Sequence, residues 1–153
     1  MPKQPKTSNS LIRVSARNHA GLILMTEIAS RHPTSYVQRP TSAAEGFVSL
    51  KNVAERMGLS QGFLEEVAAD LKQVGLIKGR KGPGGGYCLA KPASKITAEQ
   101  ILTALEGPIA LAACSGGFCP VSSSCASKSL WGFLQRDVVN SLKRTTLADI
   151  IKK

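Results

Sequence analysis

The sequence predicts a mainly α fold with a small β-wing: a winged helix-turn-helix followed by a long C-terminal dimerisation helix. Three observations predict it. Two short amphipathic helical stretches meet at a tight turn around Gly58, the arrangement of a helix-turn-helix. A basic, glycine-rich hairpin segment, GRKGPGGG (79–86), follows directly. Near the C-terminus Leu130, Leu134, Val138 and Leu142 recur every fourth residue, which is one stripe of a long helix.

Residues 1–11 hold Pro, Lys and Ser with little to bury, which predicts a mobile basic tail. The predicted winged helix-turn-helix domain spans 12–93. Its first helix, SARNHAGLILMTEIAS (15–30), places Ala16, Ala20, Ile23, Leu24 and Ile28 on one stripe. RHPTSYVQRPTSAAEG (31–46) has two prolines and many turn formers, so it reads as a loop insertion. Ser49 can cap a helix carrying Leu50, Val53, Ala54 and Met57 at helical spacing, and Gly58 stops it. Ser60 caps the next, with Phe63, Leu64, Val67, Ala68, Leu71 and Val74 on one side and Gly75 at its end.

Alone, these two helices would also suit an ordinary helical hairpin; the segment after them favours the winged reading. Leu76–Lys78 starts a strand and Tyr87–Ala90 returns. Arg80 and Lys81 open the loop between them, and its glycines, Gly84 and Gly85 included, let the backbone approach another surface closely. A cation here can reach a phosphate or a narrow minor groove. A nucleotide-cradling loop is excluded, because it needs Gly-Lys-Ser/Thr at its end, opening a helix, and here the lysine comes first.

Residues 94–128 are read as a capped helix followed by a cysteine-containing loop. TAEQ (97–100) is a capping box before Ile101, Leu102 and Leu105, and Gly107-Pro108 closes that helix. Residues 129–153 are the dimerisation helix and a short terminal helix opened by a second box, TLAD (146–149). With Trp131 and Phe133 beside its stripe, the long helix has more apolar surface than a small winged domain covers. A homodimer through Leu130, Trp131, Leu134, Val138 and Leu142 is expected, packing onto its own domain being the alternative.

The chain has 153 residues, and 20 Lys+Arg against 10 Asp+Glu give a formal charge of +10. Such a charge suits a polyanionic partner, although a basic surface that only aids solubility weighs equally on charge alone. Residues 1–40 carry Lys3, Lys6, Arg13, Arg17, Arg31 and Arg39 against Glu27 alone, and no acid lies between Asp70 and Glu99. A phosphate backbone is expected at these places. The N-terminus is polar, with no secretory leader, and no apolar run approaches the ~20 residues of a membrane span. A cytoplasmic protein with reduced thiols is therefore expected, without membrane partners.

Three of the four cysteines stand in CSGGFCPVSSSC, at Cys114, Cys119 and Cys125, and Cys88 lies on the wing strand. Their C-x4-C-x5-C spacing among Gly and Ser points to a metal or redox site rather than a structural disulfide. No H-E-x-x-H, G-x-S-x-G or C-x-x-C occurs, so an enzyme is not expected.

Together, IRVSARNHAGLILMTEIA (12–29), LKNVAERMGLSQGFLEEVAADLKQVGLI (50–77), GRKGPGGGYCLAK (79–91), SKITAEQILTALEG (94–107) and CASKSLWGFLQ through TTLADI (125–150) resemble the Rrf-two family of bacterial winged-helix regulators, which includes the IscR-, NsrR- and RirA-like iron–sulfur sensors. The resemblance implies a homodimeric transcription regulator, a repressor, on palindromic double-stranded promoter DNA. It implies a recognition helix opening at Ser60, with Ser60, Gln61, Gly62, Phe63 and Glu65 toward DNA and Arg80, Lys81, Gly84 and Gly85 in the wing. Phe63 stands where relatives often have Tyr, and Lys81 replaces a wing Arg, losing the bidentate fork.

The resemblance also implies that Cys114, Cys119 and Cys125 hold an iron–sulfur cluster, 2Fe–2S in preference to 4Fe–4S. Either form commonly takes four ligands. The IscR-like pattern has a histidine three residues after the third cysteine, where this chain has Lys128. In other branches the slot lies on the N-terminal helix of the second subunit; aligned from Ile12 it falls on His19, ahead of His32. Zinc, a thiol switch and regulation through a partner protein remain alternatives, and an iron–sulfur carrier is a weaker one.

Overall fold

The computed structural model describes residues 14–31, 46–112 and 118–152. The expected basic tail, nearly all of the 31–46 loop, His32 and Cys114 lie outside the described residues. Helix α1 (Ala16–Arg31) precedes the helix-turn-helix pair α2 (Leu50–Met57) and α3 (Gln61–Gln73). Strands β1 (Ile77–Arg80) and β2 (Gly86–Leu89) form the wing, then come α4 (Ala98–Glu106), the long α5 (Lys128–Arg144) and the short α6 (Leu147–Ile151). The mainly α architecture with a two-stranded wing is as the sequence predicts.

Local chemistry sets most boundaries. Gly58 ends α2 in the left-handed region, at φ 64°, where a side chain would be strained. Ser60 opens α3 by accepting a hydrogen bond from the Phe63 N–H (3.2 Å). Ser49 precedes α2 with extended backbone but makes no side-chain cap. Both predicted capping boxes form, Thr97 with Gln100 on α4 and Thr146 with Asp149 on α6.

The core gathers Leu24, Met25 and Ile28 from α1, Val53 from α2, Leu64, Val67 and Leu71 from α3, Ile101 and Leu105 from α4, and Leu147 from α6. Each fully buried aliphatic side chain contributes about 1.5–3 kcal/mol relative to exposure. Three residues expected on buried stripes are exposed: Ala16, Met57 and Val74. Each sits at the end of its helix, where the apolar face has turned past the neighbouring element. Helix α6 docks back under α4: Leu147 N–H bonds the Ile96 carbonyl (2.7 Å) and Ala98 N–H bonds the Thr145 carbonyl (2.9 Å).

Candidate nucleic-acid interface and cysteine segment

Ser60, Gln61, Gly62 and Glu65 are exposed on the first turns of α3. Gln61 Nε2 donates to Glu65 Oε1 (2.9 Å), so the two present their polar atoms as a pair. Phe63 differs from its neighbours: it is half-buried and packs against the core, because it lies on the inward edge of the helix. The helix is held from behind by Arg17 of α1, which bonds Asp70 and pairs with Glu66 at 3.6 Å. Arg17 was expected among the phosphate contacts; its guanidinium instead fastens α1 to α3. On the adjacent face, Arg56 of α2 bonds Glu27 of α1.

In the wing, Arg80 closes β1 rather than opening the loop, facing Gly86 in the ladder. Its guanidinium lies over the Phe47 ring, 5.6 Å from the centroid, a cation–π distance. Lys81 is exposed beyond it. The turn GPGG (82–85) closes with Gly85 N–H on the Gly82 carbonyl (2.9 Å), and Gly84 has φ 70°, as a Pro-Gly turn requires. A side chain at Gly85 would run into the Arg80 carbonyl, and one at Gly86 into that of Val48.

Val48 exchanges two backbone hydrogen bonds with Tyr87, at 2.8 and 2.9 Å, stitching the wing to the residues before α2. The sequence reading missed this clamp. Phe47-Val48 was a readable signal, two β-formers between the loop and the Ser49 cap.

Cys119 and Cys125 are free thiols, both half-buried. Cys125 Sγ lies 3.3 Å from Ser127 Oγ. Hydrogen bonds from Ser127, with lesser help from the backbone and charge of Lys128, hold this thiol below its ordinary pKa. Cys88 behaves oppositely: burial pushes its thiol up, only partly offset by Lys78 across the ladder. Among the described residues no three metal-ligating side chains converge, Cys114 being outside them. His19 lies on the exposed face of α1.

The cysteine segment is tied to α5 at two places. Before it, Gln135 accepts from Leu111 N–H (2.8 Å) and donates to the Ile109 carbonyl. Within it, Lys128 Nζ donates to Ser122 Oγ (2.6 Å). An open groove of about 690 Å³ runs past Cys125, Lys128, Gly132 and Arg136. Sequence reasoning singled out the cysteines but not Gln135, whose role shows only once α4 and α5 are packed together. None of the α5 residues is buried: Leu130 and Phe133 are each 54% exposed, and Trp131, Leu134, Val138 and Leu142 are half-buried.

The comparisons with known proteins agree with this geometry. Residues 14–153 match the model of the Rrf2 family, described as an iron-dependent transcriptional regulator. The HTH-type transcriptional regulator IscR of Klebsiella pneumoniae is 30% identical over 119 residues, 77% of this chain and 73% of that one. IscR of Serratia proteamaculans is 34% identical over 108 residues, covering 70% and 66%. Among solved structures, CymR, the global cysteine regulator of B. subtilis, superposes with TM-score 0.75 at 31% identity, over 92% of this chain and 97% of that one. T. potens IscR gives 0.69 at 33% identity, over 92% and 87%. With the helix-turn-helix, the stitched wing and the long exposed helix all in family order, the chain belongs to the Rrf2 family of transcriptional regulators.

Proposed function

We propose that this protein is a cytoplasmic, homodimeric repressor whose affinity for a two-fold promoter site is set by an iron–sulfur cluster on its cysteine segment. The observation that carries the reading is the double tie of that segment to α5 through Gln135 and Lys128. Whatever the cysteines hold is thereby linked to the helix proposed to pair the two subunits.

The donor set fits such a group. Thiolates are the preferred ligands of iron–sulfur clusters. Cys125 is already biased toward thiolate by Ser127, and both described cysteines keep part of their surface open. Cys114, Cys119 and Cys125 would hold the cluster, 2Fe–2S in preference to 4Fe–4S, with His19 of the second copy as fourth ligand. Lys128 cannot replace it, since its ammonium carries no free lone pair and donates to Ser122. The bound cluster would supply sensitivity to iron supply, oxidants or nitric oxide.

Dimerisation would bury the open faces of Leu130, Trp131, Leu134, Val138 and Leu142 against their counterparts. Two-fold symmetry then sets the recognition helices about one DNA turn apart, in successive major grooves. Ser60, Gln61, Gly62 and Glu65 would face bases and phosphates, Phe63 would support them from its half-buried position, and Arg80, Lys81, Gly84 and Gly85 would follow the backbone or minor groove. The Gln61–Glu65 pair aligns an amide and a carboxylate, groups that suit adenine and cytosine edges.

A second reading is favoured by the lowered pKa of Cys125, which also suits a cluster-free thiol switch. Anisotropy titration of promoter DNA with anaerobically purified protein, before and after chelator treatment, separates the two. The cluster reading expects at least a tenfold change in operator affinity on iron removal, and a changed cluster spectrum in His19→Ala. Affinity unaltered by iron removal but altered by thiol oxidation supports the switch instead.

A further inference from the structure

A second cavity, distinct from the DNA-reading surface and the cysteine segment, lies where the end of α3 and the foot of the wing meet α4. It holds about 250 Å³ and is lined by Val74, Leu76, Lys91, Glu99, Gln100, Thr103 and Ala104. That volume is below the ~300–1,000 Å³ of sites for drug-sized ligands, so any occupant is small. Leu76 is buried, Ala104 packs against the core and Val74 is half-exposed, which gives the cavity an apolar floor.

Its polar groups are under-used. Glu99 and Lys91 each line the cavity and form no ion pair or side-chain hydrogen bond among the described residues. Thr103 lines the cavity, but its Oγ1 lies behind that surface, closed to a water-sized probe and without a hydrogen-bond partner among the described residues. Gln100 Oε1 is spent on its capping box, which leaves only its amide N–H groups.

We propose that this cavity binds a small zwitterion, an α-amino acid with a short apolar or thiol side chain. Lys91 takes the carboxylate and Glu99 the ammonium. Val74, Leu76 and Ala104 receive the side chain. One cation, one anion and an apolar floor around a space this small suit both charges of such a molecule. A fatty acid or an amine would leave one of the two charged groups unmatched. The occupant would touch the end of the recognition helix, the foot of the wing and α4 together.

Calorimetric titration of the full-length protein, without DNA, tests this with L-alanine, L-serine, L-cysteine and L-valine. Propionate and isobutylamine serve as single-charge controls. The proposal expects at least one amino acid to bind with a dissociation constant below about 1 mM, and neither control to bind. Lys91→Met and Glu99→Gln should each weaken binding at least tenfold. No binding by any amino acid up to 10-fold above that limit overturns the proposal, as does binding unaffected by Lys91→Met and Glu99→Gln, or equal binding of propionate. None of these results depends on the cluster or on DNA.

Discussion

The two ends of this chain bury their apolar side chains very differently. In the head, α1 to α4 with the wing and α6, the core side chains of α3 are fully enclosed: Leu64, Val67, Ala68 and Leu71 show no exposed surface. In the arm, α5 runs for 17 residues without one buried residue, although its apolar stripe is as regular as any in the head. An amphipathic helix is stable in water mainly through what covers its apolar face. The head supplies that cover within one chain, whereas the arm is tied through Lys128 and Gln135 and leaves its apolar stripe only partly covered. The difference locates the folding unit in the head and leaves the arm as the surface proposed to pair two copies.

The largest expected effect sets the two regions directly against each other. Leu71→Ala should cost about 2–5 kcal/mol in urea unfolding, by the same amount at any protein concentration. Leu134→Ala should cost little in dilute protein, but its cost should grow with concentration as the proposed dimer forms in the wild type. Equal, concentration-independent losses would erase the distinction between head and arm.

Next in size is the wing. Gly86 has φ 144°, and any Cβ there meets the Val48 carbonyl. Gly86→Ala should therefore cost about 1–3 kcal/mol of stability and loosen the Val48–Tyr87 stitch. Faster amide exchange at Val48 and Tyr87 would be the sign, and unchanged exchange there would show the wing to be less tightly built than its contacts indicate.

Smaller again is the tether between arm and cysteine segment. Gln135→Ala removes the acceptor of Leu111 N–H, worth about 1 kcal/mol, so exchange of that amide should quicken roughly fivefold while exchange in the α3 core holds. The smallest effect lies at α6. Hydrogen bonds from Thr146 hold the Asp149 carboxyl below its ordinary value. A group whose pKa is lower folded than unfolded stabilises the fold above the unfolded value and loses that increment as pH falls through the folded one. Thr146→Val should raise the Asp149 midpoint in an NMR titration and remove a slight loss of stability below about pH 4.

Much of this was legible in the sequence, because the head is specified by local signals. Gly58, the Ser60 cap, the two capping boxes and the GPGG turn act within a few residues of themselves, and each stands where its chemistry predicts. What was missed acts at a distance. The Val48–Tyr87 stitch spans 39 positions, Arg17 reaches Asp70 across 53, and Gln135 reaches Leu111 across 24. No local pattern distinguishes an arginine destined for a carboxylate from one left for a phosphate. The cysteines were visible as a cluster in sequence, but the ligand set proposed for them draws on Cys114, outside the described residues, and on a second copy of the chain.

The most direct test of the central claim is an iron and acid-labile sulfide count, with visible absorption, on protein purified without oxygen. Matched iron and sulfide in a coloured protein are expected, with loss of both in Cys114→Ala, Cys119→Ala and Cys125→Ala. A colourless protein with neither element, still able to bind promoter DNA, would contradict it and leave the cysteines as a thiol switch.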